Sequence, residues 1–136
     1  MRERLGRARV ARLATVGSAG RPHVVPITFV LEGDRIYFAV DSKPKRTTDL
    51  QRLRNIAAHP SVAVLADHYD EDWTSLWWVR ADGEAVVLGS GGEADRAVDL
   101  LAERYTQYRR ARPSGPVVAI SIHRISGWAA ADNTAC

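Results

Sequence analysis

Gly17-Ser18-Ala19-Gly20-Arg21-Pro22-His23-Val24-Val25-Pro26-Ile27-Thr28-Phe29-Val30-Leu31-Glu32-Gly33-Asp34 is the stretch that decides the fold. A run rich in β-branched residues sits between two segments, Gly17–Gly20 and Glu32–Asp34, with the composition of hairpin turns. A strand is predicted on either side. Arg9–Val16 reads Arg-Val-Ala-Arg-Leu-Ala-Thr-Val, and Arg35–Val40 alternates Ile36, Phe38 and Val40 against Tyr37 and Ala39. Pro26 has no N–H to give a ladder, so the strand Pro22–Leu31 should carry an edge segment or a bulge there.

Beyond this meander, Thr47–Ala58 reads as a helix, with Leu50, Leu53 and Ile56 on one side and Pro60 closing it. Thr47 or Thr48 suits its N-cap and Asp49 its first turn. Ser61–Ala66 is an apolar strand, and Asp67–Asp72 an acidic loop. Leu76–Arg80 and Ala81–Leu88 form the next strand region. Glu93–Arg110 has the strongest helical period, in Ala94, Ala97, Val98, Leu101 and Tyr105. Pro113–Pro116 ends it, Val117–Ile125 alternates as a last strand, and Asp132–Cys136 reads as a frayed tail. The expectation is a mainly β, α+β chain: a closed six-stranded antiparallel barrel with two or three flanking helices. It forms one domain over residues 1–136, with a core over about 9–128 and a tail from 129 to 136.

With 136 residues, 46% hydrophobic and 26% charged, the composition is that of a globular domain and argues against disorder. No apolar run approaches the ~20 residues of a membrane span, and Met1–Gly6 lacks the apolar core of a secretory signal, so a cytoplasmic location is expected. Cys136 is the single cysteine and the histidines are dispersed, so neither an internal disulfide nor a metal site is indicated. Net charge is +3. Cations gather at Arg2, Arg4, Arg7, Arg9 and Arg12 and again from Lys43 to Arg54, against the acidic Asp67, Asp70, Glu71 and Asp72. That balance suits nucleic acid, an anionic membrane or a polyanionic small molecule, and +3 with interspersed acids is mild for a DNA binder. No zinc-finger spacing, helix-turn-helix pattern or aromatic-basic strand points to nucleic acid.

The segment Ala39-Val40-Asp41-Ser42-Lys43-Pro44-Lys45-Arg46-Thr47-Thr48-Asp49-Leu50 runs from a strand through a turn with three cations into a helix start. Free N–H groups and the positive end of the helix dipole favour an anion there. Lysine adds point charge, and arginine a planar fork of donors. Lys45 and Arg46 rank first as partners of a phosphate, then Lys43, with Thr47 adding a hydroxyl. Arg52 and Arg54 lie further along the helix, where such arginines more often face solvent or pair with acids. The alternative is a solvated turn that keeps the sheet edge soluble.

Four words in order resemble the split β-barrel flavin and deazaflavin oxidoreductases, the pyridoxamine 5′-phosphate oxidase-like superfamily. They are Arg12–Val16 with Gly20–Pro26; Asp41–Lys45 with Leu53–Ile56; Val64–Tyr69 with Trp73, Trp77 and Trp78; and Ile125–Trp128. The likeness is strongest to the small actinobacterial members assigned to coenzyme F420. It implies a homodimer holding a planar cofactor between two barrels, F420 or alternatively FMN. It implies hydride transfer to or from a small unsaturated substrate, and the basic loop on the phosphate. It also implies second-strand residues, His23, Val24 and Pro26, along the ring. His23 reads equally as an ordinary half-buried strand residue, and Val24, Val25 and Pro26 read most simply as barrel core, acting on a ring through backbone groups and shape. Trp77 and Trp78 must face opposite sides of a strand, so one fills the core and the other is free for the dimer interface or the cofactor groove. A binding protein without turnover is the alternative from another class. Two departures stand out: about two helical turns precede the first strand, and the loop from Lys43 to Thr48 is longer than in better-known relatives.

Overall fold

The strand expected over Pro22–Leu31 is two strands in the structure. The computed structural model describes residues 1–40 and 47–130, with the side chains of 47–50 outside that description. The basic residues Lys43, Lys45 and Arg46 and the tail Asp132–Cys136 lie outside the described residues.

Along the chain run α1 (Arg2–Arg7), β1 (Ala11–Val16), β2 (Pro22–Ile27), β3 (Val30–Glu32) and β4 (Arg35–Ala39). Then follow α2 (Thr47–Ala58), β5 (Ser61–His68), a 3₁₀ turn (Trp73–Ser75) and β6 (Trp77–Leu88). The chain closes with α3 (Gly92–Arg104), α4 (Thr106–Arg110) and β7 (Val117–Ala129). One seven-stranded sheet has the order β2-β1-β5-β6-β7-β4-β3. All its ladders are antiparallel.

This corrects the expectation of six strands in a closed barrel. β2 and β3 are consecutive in the chain yet form the two ends of the sheet. The break falls at Thr28-Phe29 because a distant tyrosine takes the backbone bonds that a continuous strand would use. The buried Tyr105 hydroxyl accepts from the Phe29 N–H at 3.2 Å and lies 3.0 Å from the Phe29 carbonyl oxygen. Pro26 then sits on an edge strand, as its missing N–H requires.

The number of α-helices is four among the described residues. The long helix expected over Glu93–Arg110 is interrupted at Tyr105, whose backbone is extended at φ −118°, ψ 121°. β7 runs on to Ala129, past the Ile125 at which the alternation suggested an end.

Glycine is required at two turns and at one crossing. Gly20 and Gly33 close the β1–β2 and β3–β4 hairpins at φ +77° and +58°. Gly83 marks a register shift between β6 and β7, and a Cβ there would lie 2.2 Å from the Ser121 carbonyl oxygen.

Side-chain alternation sorts the two faces. Leu13, Ile36, Phe38, Val64, Val79, Ala81 and Ile120 fill the inside with Phe29, and Leu5 of α1 closes over them. α2 adds Ile56, while its buried Asn55 donates to Thr15 Oγ1 at 3.0 Å. A second cluster joins Val30, Tyr37, Val117 and Ala119 to Ala97 and Leu101 of α3. Helix α3 thus covers the outer face at β3, β4 and β7. The outer face of β2, β1, β5 and β6 carries the exposed Val24 and Trp78.

Candidate cofactor site

Two depressions flank the β1–β2 ladder. One is a cleft of about 320 Å³ between β2, the end of β4, α2 and α4, lined by Val10, Pro26, Ile27, Thr28, Ala39, Arg52 and Tyr108. The other is an apolar groove of about 530 Å³ on the outer sheet face, lined by Arg12, Ala14, Val24, Ala63, Leu65, Asp67, Trp78 and Arg80. Arg12 and Pro26 are register partners, so the two depressions adjoin there.

The groove has an apolar floor and a charged rim. Val24 is 61% exposed and Trp78 36%, and Trp78 is the register partner of Trp128, itself 41% exposed. Arg12 lies 3.5 Å from Asp67, and Arg80 makes a two-pronged bond to Asp82 at 2.9 and 3.2 Å. Of the acidic residues Asp67, Asp70, Glu71 and Asp72, Asp67 is the one met by Arg12. Arg124 is exposed beside Asp82 in the register, and that carboxylate is already engaged by Arg80.

The residues expected to line a cofactor separate in the structure. Pro26 lines the cleft, and Val24 and Trp78 line the groove. His23 faces the inside of the sheet opposite the buried Thr15, on the other face from Val24 and Pro26. Its Nδ1 is buried and has no hydrogen-bond partner among the described residues. Trp77 turns inward against the core, stacked on His68 at 6.3 Å between ring centres, with the Arg4 guanidinium 5.8 Å from its own. This division of Trp77 and Trp78 is what strand alternation demands. Thr47 opens α2.

Three cleft residues escaped the sequence reading. Arg52 and Arg54 are alike in the sequence, where either solvent exposure or pairing with an acid suits them; Arg54 is exposed, and Arg52 is half-buried at the cleft. Thr28 and Tyr108 join hydroxyls across it at 3.0 Å. The only local signal for Tyr108 was its spacing three residues after Tyr105, and the two rings meet edge to face at 5.8 Å.

A hub holds this wall in place. Arg104 donates to the Gly6 carbonyl at 2.6 Å and also to the Ala8 carbonyl, while its Nε lies 3.2 Å from the Tyr105 hydroxyl. Arg9 packs over the Tyr105 ring at 4.6 Å and donates to the Arg104 carbonyl at 2.9 Å. The α1–β1 link, the β2–β3 break and the α3–α4 junction are thereby tied together. Elsewhere, the Asp72 carboxylate is held below its usual range by bonds from the Thr74 hydroxyl and amide. No group of three metal-ligating side chains comes together among the described residues, and none of their helices is long and apolar enough to cross a membrane.

One antiparallel sheet with the consecutive strands β2 and β3 at its two ends, and a cleft beside an exposed apolar face, fits the split-barrel flavin-binding proteins of the pyridoxamine 5′-phosphate oxidase-like superfamily. Residues 1–129 match the family model for pyridoxamine 5′-phosphate oxidase, and the chain belongs to that family. It is 31% identical over 86 residues to a 5a,11a-dehydrotetracycline/5a,11a-dehydrooxytetracycline reductase of Streptomyces rimosus, a match spanning 62% of this chain and 59% of that reductase. A conserved hypothetical protein of Mycobacterium tuberculosis superposes with a TM-score of 0.79 at 20% identity, covering 97% of this chain and 84% of that one. A FAD-binding protein of Mesorhizobium loti does so with a TM-score of 0.70 at 21% identity, covering 93% and 89%. These two structural likenesses establish the fold.

Proposed function

We propose that this protein is an F420-dependent oxidoreductase that acts as a homodimer on a small unsaturated substrate. The observation that carries the reading is the joining of two chemistries at β2. The cleft is lined by Arg52 and by the paired Thr28 and Tyr108 hydroxyls, and the adjoining groove has an apolar floor. A ligand with an anionic tail and a flat ring needs both. β4 ends at the cleft, and the sequence that follows it carries Lys43, Lys45 and Arg46 before Thr47 opens α2. In this reading those cations and the Thr47 hydroxyl hold the phosphate. Val24, Pro26 and the backbone beside His23 shape the ring's bed. Trp77 stiffens the strand from inside, while Trp78 and Trp128 meet the second copy.

When bound, the deazaflavin supplies the hydride, so the chain needs no nucleophile of its own. Its residues bind the charged end, orient the ring and exclude water. The reductase relative supports a redox role. The FAD-binding neighbour supports a flavin-type ligand, which keeps FMN as the second reading at the same site.

The test is titration of purified protein with F420 and with FMN, read by quenching of tryptophan fluorescence, alongside sedimentation. Tight F420 binding, weak FMN binding and a dimer are the expected results. Preference for FMN moves the assignment to a flavin enzyme. A monomer at micromolar concentration removes the shared groove.

A further inference from the structure

We propose that Tyr108 of α4, steadied by Thr28, donates a hydrogen bond to an anionic oxygen of the ligand held in the β2–α2–α4 cleft. The inference rests on the cofactor reading above and adds to it a residue from the far end of the chain. The pair Thr28 Oγ1 and Tyr108 Oη stands 3.0 Å apart at the cleft wall. Two hydroxyls carry two protons, and their mutual bond uses one. Neither hydroxyl has another partner among the described residues, so one O–H is left to donate. Both residues line the cleft, so that donor is within reach of a ligand that fills it.

Two features favour Tyr108 as the outward donor. A phenol hydroxyl is a stronger hydrogen-bond donor than an aliphatic one. Its ring is held edge to face against Tyr105 at 5.8 Å, and Tyr105 is itself pinned to Phe29 and Arg9. The donor therefore arrives preorganised, with little side-chain freedom left to lose on binding. Thr28 then donates into Tyr108, which polarises the outward bond. The acceptor carries negative charge because the cofactor reading above puts the ligand's charged end in this cleft.

The experiment measures Kd for F420 and FMN in the wild type, Tyr108→Phe and Thr28→Val, with the urea midpoint of each protein recorded in parallel. Tyr108→Phe should weaken the preferred cofactor about 10-fold, the loss of one charge-assisted hydrogen bond. Thr28→Val, which keeps the donor and removes its support, should weaken it about 3-fold. Cofactor affinity within twofold of wild type in both variants overturns the role of the pair and leaves the cofactor assignment intact. If Tyr108→Phe unfolds, Thr28→Val decides alone by the same criterion. A wild type that binds neither F420 nor FMN overturns the cofactor assignment, and this inference with it.

Discussion

Replacing Tyr105 by phenylalanine removes one oxygen from the point where three parts of the chain meet. That oxygen accepts from the buried Phe29 N–H at 3.2 Å and from Arg104 Nε at 3.2 Å. Its single proton is shared between the Arg9 and Phe29 carbonyls at 2.9 and 3.0 Å. Ring packing is kept by the substitution, so the loss is polar. Phe29 is fully buried, and leaving its N–H unpaired costs about 1–3 kcal/mol. Arg104 loses little, because it retains the Gly6 and Ala8 carbonyls. The expected destabilisation is about 2–3 kcal/mol, or a fall in Tm of about 10 °C for a domain of this size. Urea unfolding followed by tryptophan fluorescence should show a lower midpoint with an unchanged slope. Hydrogen exchange should show the Phe29 amide losing protection beyond the global loss. A destabilisation below about 0.5 kcal/mol, or a Phe29 amide that exchanges no faster, would refute the account of why β2 and β3 separate.

Gly83→Ala should destabilise by about 1–3 kcal/mol in thermal melts, because its Cβ would sit 2.2 Å from a backbone oxygen that cannot swing aside. Tyr37 is buried and donates to Glu93 at 2.8 Å, and burial first, then Glu93, raises its pKa above the ordinary 10.0. The folded state thus favours the neutral phenol, and this contribution is complete below pH 10 and lost as pH climbs through the raised value. Urea midpoints measured on both sides of that pH should fall more steeply for wild type than for Tyr37→Phe. Parallel curves would remove the linkage. The double variant Lys45→Ala, Arg46→Ala should weaken cofactor binding by about 1–3 kcal/mol in the fluorescence titration. Unchanged affinity would take that segment out of the site.

Local patterns in the chain already determined much of this protein. Alternation in Arg35–Val40, the turn glycines Gly20 and Gly33 and the three-to-four spacing of α2 each act within a window of a few residues, where sterics and periodicity settle the outcome. The opposed faces of Trp77 and Trp78 follow from the same rule. The resemblance carried by four short words matches the family that residues 1–129 show. Tertiary structure alone decided the rest. β2 and β3 look continuous in sequence, and what parts them is a hydroxyl 76 residues away. Arg52 and Arg54 look alike in sequence, and only the packing of α2 puts one of them at the cleft. Tyr108 reaches Thr28 across 80 residues, by way of a helix break that helical periodicity does not foretell. Such hydrogen bonds depend on which distant donor the packed core brings within about 3 Å of an acceptor, and no local window of sequence carries that distance.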